Sequence, residues 1–214
     1  MAKKSIEERV QRLEDIKAVE NLMAKYSYMQ TAGLHEEVGE LFAKKTPGVR
    51  VDLMGIYEGA SGVQRAMVRI HQIIEVGKPG SLYVHSQTTP VIEIAGDGRT
   101  AKGVWVSPGL ETRREPRTGK FTAYWLWGTY GVDFVKEDGQ WKFWHFHIYP
   151  LILTPYNKSW TEPATAEFDQ VVPPDFPKPD KPTRSDSVYS TTKPIHYDPV
   201  PPEPYETFDE KTAY

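Results

Sequence analysis

Apolar residues recur at helical spacing from Ser5 to Gln30, with Ile16, Val19, Met23 and Tyr26 on one arc of about 100°. Ser5 followed three residues later by Glu8 predicts a capping box at the start of that helix. Ala32-Gly33 ends it, His35–Lys44 reads as a short second helix, Val49–Leu53 alternates as a strand, and Ala60–Val76 returns to helical spacing. From Leu82 the period changes to two. Strands are predicted over Leu82–Ala95, Ala101–Arg114, Phe121–Lys136 and Trp141–Tyr149, joined by turns at Gly96-Asp97-Gly98, Thr118-Gly119 and Glu137-Asp138-Gly139. Helices first and then an antiparallel meander predict an α+β architecture, with helices closing one side of a curved sheet.

The pattern breaks at Pro150. Thirteen of the 18 prolines lie from there onward, so regular elements are not expected, and the chain divides into a domain over 1–150 and an extended Pro-rich segment over 151–214. That segment keeps Tyr156, Trp160, Phe168, Phe176, Tyr189, Tyr197, Tyr205 and Phe208, more aromatic residues than a solvated tail carries. It is expected to pack, either around its own domain or on a neighbouring subunit.

Composition narrows the function. The formal net charge of −3 supplies no basic stripe for a phosphate backbone, which argues against nucleic acid as a partner. No apolar run reaches the roughly 20 residues that span a bilayer, and MAKKSIEERV lacks the apolar centre of a signal peptide, so no membrane partner and a cytoplasmic address are expected. Cysteine is absent, which removes thiol nucleophiles and thiolate metal sites. Histidine, tyrosine and carboxylates must carry any chemistry. No phosphate loop, nucleotide-binding glycine fingerprint or serine elbow is present, so no cofactor is expected. All six tryptophans lie between Trp105 and Trp160, which predicts an aromatic-walled pocket for a small hydrophobic or aromatic molecule.

The segments RLEDIKAVENLMAKYSYMQTAGLHEEVGELF, VHSQTTPVIEI and YGVDFVKEDGQWKFW resemble the SnoaL-like proteins of the nuclear-transport-factor-two-like superfamily, over roughly residues 5–150. The resemblance implies a cone-shaped barrel with a cavity between the long first helix and the concave sheet, assembled as dimers or trimers. It covers cyclases, dehydratases, isomerases, lyases and proteins that only bind, so it leaves the activity open. It places His85 where the family often carries a pocket histidine, Tyr26 where bile-acid dehydratases carry a pocket tyrosine, and Tyr130 where scytalone dehydratase carries a pocket asparagine. Thr31 stands where many members have an aspartate, so an Asp–His dyad at that place is missing. Thr88, Gly109 and Pro150 occupy positions of a histidine, an acid and an arginine in the bile-acid dehydratases, and Trp105 that of a second histidine in scytalone dehydratase.

The resulting expectation is a cofactor-independent lyase or dehydratase acting on a hydroxylated aromatic or polycyclic molecule. His85 would move the proton, Tyr26 and Tyr130 would stabilise the oxygen, and Trp105, Tyr124, Leu126, Trp144 and Phe146 would line the cavity. A cyclase or isomerase in the same pocket, or a binding protein without turnover, are the alternatives. His145 and His147 share one strand face. Without a downstream carboxylate no metal site is expected, and the resemblance to the dehydratases implies that Trp144, Phe146 and Ile148 face the pocket while His145 and His147 lie on the opposite face as structural residues. Arg113 or Arg114 could guard a pocket mouth.

Overall fold

The computed structural model describes residues 5–114, 118–162, 175–184, 187–195 and 198–214. Helix α1 (Ile6–Thr31) begins at Ser5, whose hydroxyl accepts from the Glu8 N–H while the Glu8 carboxylate accepts from the Ser5 N–H. Both halves of the capping box form. Helix α1 buries Val19, Leu22, Met23 and Tyr26 against the sheet. Asp15 secures it there, accepting from Lys136 Nζ at 2.6 Å and Trp141 Nε1 at 2.9 Å.

Helix α2 spans only His35–Gly39, and the third helical stretch is composite: α3 (Gly59–Val63), a π-helical turn (Gln64–Arg69) and α4 (Ile70–Ile73). The strands are β1 (Arg50–Asp52), β2 (Ile56–Glu58), β3 (Leu82–His85), β4 (Thr88–Ile94), β5 (Thr100–Arg114), β6 (Phe121–Glu137) and β7 (Gln140–Pro155). Their order across the sheet is β2-β1-β7-β6-β5-β3, with β4 also on β5. The sheet is curved and unclosed. It is mixed rather than wholly antiparallel, because β1 runs parallel to β7, Val51 facing Phe146.

Two further departures shape the concave face. The expected strand Leu82–Ala95 is divided at Ser86-Gln87, and its second half shifts register between Thr88 and Val91, with Thr89 in the left-handed region at φ 47°. This irregularity puts His85 and Glu93 on opposite faces, where unbroken alternation would put them together. In β7, Phe143 pairs with Phe134 and His145 with Asp133, which leaves Trp144 as the extra residue of a bulge. Strand β7 also continues through Pro150 to Pro155, with a second register shift at Trp127/Gly128. The core cluster contains Tyr26, Trp105, Tyr130, Phe134, Phe143 and Phe146.

The C-terminal residues bond to the same chain. Ile56 N–H donates to Lys181 O at 2.8 Å, Tyr57 hydroxyl to Pro177 O at 3.0 Å, and Gly96 N–H to Tyr205 O at 2.8 Å. Phe168 and Tyr197 lie outside the described residues. Among the described residues no helix is long and apolar enough to cross a membrane.

Candidate active site

Alternation along β5 turns Trp105, Ser107, Gly109 and Glu111 to the concave face, where they pair with Tyr130, Gly128, Leu126 and Tyr124 of β6. Strand β3 adds Tyr83 opposite Glu111 and His85 opposite Gly109. Gly109 is required by space, since a Cβ there would lie 3.0 Å from His85 Cδ2 and 2.9 Å from Val84 O. Helix α1 is tied to this strand by Ser27, whose hydroxyl donates to His85 O at 2.7 Å, and the preceding Tyr26 enters the same cluster.

The polar groups form a line. Arg113 donates to Glu111 Oε2, from Nε at 2.6 Å and from NH2 at 2.5 Å. Glu111 Oε1 lies 2.9 Å from His85 Nε2, and His85 Nδ1 lies 3.3 Å from the Tyr130 hydroxyl. Burial would raise the Glu111 carboxyl, but hydrogen bonds and charge from His85 and Arg113 outweigh it and hold the group below its ordinary range. An ionised Glu111 can only accept, so His85 donates through Nε2–H. Its Nδ1 then keeps the lone pair and accepts from Tyr130. The tautomer follows from the network.

Both phenols are neutral donors. Burial pushes Tyr130 up to about 12, partly offset by hydrogen bonding with Tyr26, Gln87 and Ser107. Burial raises Tyr26 well above its ordinary value, and the facing Tyr130 hydroxyl adds to the effect. Around them the wall is apolar. The Phe146 ring meets Tyr26 at 4.9 Å and Tyr130 at 5.5 Å, both edge-on, and Trp105 packs against Phe134 at 6.0 Å. Tyr26, Trp105, Tyr130 and Phe146 are each at most 2% exposed, whereas the His85 and Arg113 side chains reach 15% and 27%. The wet end of the site is therefore the His85–Arg113 end.

His85, Tyr26, Tyr130, Trp105 and Phe146 are gathered in one cluster. Tyr124 lies towards its wet end, with the Arg113 guanidinium 5.4 Å above its ring, and Leu126 lies on the same face of β6. Trp144 is placed elsewhere. The bulge leaves its indole stacked on His145 at 4.2 Å and against Phe208 at 4.6 Å, with Nε1–H donating to Pro47 O. Phe143 instead reaches the Tyr26 ring, at 5.9 Å.

Sequence reasoning missed Glu111, which shares the parity of Trp105 but acquires its role only through the β3–β5 register. It also missed His71. That imidazole is buried, Nδ1–H donates to Met67 O at 3.1 Å, and its ring stacks on His35 at 5.7 Å. Burial, together with His35 and His85, lowers His71 to about 4 and keeps it neutral.

The opposite sheet face carries a separate polar set: Lys102 Nζ and His145 Nδ1 donate to Asp133 at 2.7 and 2.8 Å, and His147 Nε2 lies 3.3 Å from Asp52. Among the described residues no three His, Cys, Asp or Glu side chains converge as metal ligands. A surface cavity of about 350 Å³ between Leu151–Thr154 and Val188–Thr192 lies away from all these groups. Its described lining contains no histidine.

A long helix laid across a curved mixed sheet, with a polar line set into the aromatic wall between them, defines an α+β fold of the NTF2-like kind. The chain belongs to the family of SnoaL-like domains, which matches it over residues 11–147. Solved structures agree in fold. A candidate scytalone dehydratase from Novosphingobium aromaticivorans DSM 12444 superposes with a TM-score of 0.58 at 21% identity, covering 71% of this chain and 93% of that one. A hexachlorocyclohexane dehydrochlorinase from Novosphingobium barchaimii LL02 gives 0.54 at 16% identity, covering 71% and 96%. A candidate dehydratase of the NTF2-like family from Streptomyces avermitilis gives 0.54 at 16%, covering 65% and 98%. No curated protein matches the chain.

Proposed function

We propose that this chain is a cofactor-independent lyase that eliminates water or a small carbonyl fragment from a hydroxylated aromatic or polycyclic molecule. The observation that carries the reading is the Tyr130–His85–Glu111–Arg113 line, which ends against an apolar aromatic wall. The elimination chemistry in the names of the dehydratase and dehydrochlorinase neighbours supports the same reaction class.

In the dehydration, a substrate displaces the long Tyr130–His85 contact and presents a C–H bond to the Nδ1 lone pair. The proton passes to His85, the C–H electron pair becomes the new double bond, and the C–O bond breaks. Tyr130, relieved of its acceptor, and Tyr26 donate hydrogen bonds to the departing oxygen, which leaves as water once the imidazolium returns its proton. Glu111 and Arg113 take no proton. Glu111 orients the ring and offsets the charge that forms on it.

The direct test is mass spectrometry of hydroxylated aromatic and polycyclic candidates incubated with wild type, with His85→Ala and without protein. Loss of water or formaldehyde should require wild type, and His85→Ala should lower kcat about 10²- to 10⁴-fold. A product of unchanged mass would move the site to cyclase or isomerase chemistry. A second reading, binding without turnover, is favoured by Thr31 in place of an acid and by the close packing of Tyr26, Trp105 and Tyr130. A ligand that is recovered unchanged, and stabilises wild type and His85→Ala equally, would establish it.

A further inference from the structure

The face of the sheet turned away from the phenols holds a charged cluster that a folded core rarely keeps. Asp133 is fully buried. Its Oδ1 accepts from Lys102 Nζ at 2.7 Å, and its Oδ2 accepts from His145 Nδ1 at 2.8 Å and from the Tyr214 N–H at 2.9 Å. Lys102 in turn donates to Thr212 O at 2.7 Å and sits between two rings, 5.0 Å from Phe208 and 4.7 Å from Tyr214. Arg50 closes the other side, reaching Glu210 at 2.8 Å and Tyr214 O at 3.2 Å. Three body residues from three different strands are thus satisfied by the last residues of the chain.

The body is also shaped to receive them. A Cβ on Gly96 would fall 1.9 Å from Glu206 Oε2, and a Cβ on Gly131 would fall 2.8 Å from Tyr214 Cδ1. Neither glycine adopts a left-handed backbone, so conformational freedom does not explain either. What both supply is room for the segment. Next to Gly96, its N–H and that of Asp97 donate to Tyr205 O and Glu206 O, a short stretch of backbone recognition beyond the aromatic clamp.

We propose that the outer face of the sheet is a peptide-recognition site, read by Lys102, Asp133 and His145, whose ligand is the chain's own Asp198–Tyr214 segment. The ligand is defined by two aromatic anchors six residues apart, Phe208 and Tyr214, gripping one lysine. The same segment supplied as a separate peptide binds this face whenever the tethered copy is weakened. This site is distinct from the phenol cluster, on the other side of β5 and β6.

The test uses full-length protein throughout. A fluorescent peptide of residues 198–214 is titrated into wild type, into Phe208→Ala/Tyr214→Ala, and into that double variant carrying Asp133→Asn. Saturable binding is expected in the double variant, at least tenfold weaker in wild type because the tethered copy competes, and at least tenfold weaker again without the Asp133 charge. Equal uptake by all three proteins, or no uptake by a folded double variant, would overturn the proposal. Should the double variant fail to fold, Gly131→Ala decides by limited proteolysis. Faster cleavage within residues 205–212 than in wild type supports the site, and an unchanged rate refutes it.

Discussion

His85 has both ring nitrogens engaged, Nε2 on Glu111 and Nδ1 on Tyr130, and the two contacts are unequal at 2.9 and 3.3 Å. The shorter fixes the ring, and the longer is the one a substrate can replace. Glu111→Gln keeps the shape of that acceptor and removes its charge. The expected result is a kcat lower by about tenfold to a hundredfold with KM little changed, since the imidazolium that forms during the reaction then lacks its counter-charge. A variant that only loosens the fold would lower activity in step with the folded fraction read by circular dichroism. Tyr26 was legible in the sequence from helical spacing and family resemblance together, whereas His85 and Tyr130, both on strands, were reached through the resemblance alone. Glu111 was not, since its meaning depends on the β3–β5 register, which pairs it with Tyr83 and brings it beside His85. Register is a tertiary property, set by packing across strands far apart in sequence.

At the scale of elements, the hairpins were readable, and an inward His85 already demanded a bulge or twist before Glu93, but where that irregularity falls, and the bulge in β7, were not readable. Asp138 and Gly139 both take positive φ, at 49° and 77°, as the turn joining β6 to β7 requires. The break at Ser86-Gln87 and the bulge at Trp144 carry no comparable local signal. Both answer to the curvature of the sheet, and each decides which side chains face the phenols. Gly109 is the element-scale counterpart of His85. In Gly109→Ala the added methyl presses on His85, Val84 and the Leu126 carbonyl, a crowding that costs about 1–3 kcal/mol. The protein should remain folded by circular dichroism while kcat falls beyond any loss of folded fraction. Activity tracking folded fraction alone would mean that the position of His85 is immaterial.

For the whole molecule, pH sensitivity should come from histidines buried as neutral groups. Burial takes His71 down to about 4, and burial likewise takes His147 to about 4 beside Asp52, Arg184 and Arg50. A group with its folded value depressed below the unfolded one leaves the native state binding fewer protons. Its stabilisation is complete above the unfolded value near 6.5 and is lost as pH falls towards 4. For His71, with His35, His85 and Glu111 as its charged or titratable neighbours, the loss between pH 7 and pH 5 is about 2 kcal/mol. In His71→Gln that part of the loss should vanish, which urea titrations of both proteins at the two pH values would read directly. Equal losses would place the acid sensitivity elsewhere. This feature was hidden in the sequence because His71 occupies the apolar side of a helical stretch, and only packing reveals that its ring is enclosed.

Strand β6 serves two rooms at once. Tyr130 faces the phenols while Gly131 and Asp133 face Tyr214, so one strand is a party wall between them. Its length therefore has a fixed parity. One residue inserted between Gly128 and Tyr130, unless taken up in a bulge as Trp144 is in β7, would carry Tyr130 out beneath Tyr214 and turn Asp133 in among the rings, whereas an inserted pair would restore both faces. A change of length in β6 that no bulge absorbs therefore alters both rooms together, and neither can be remodelled in length without the other.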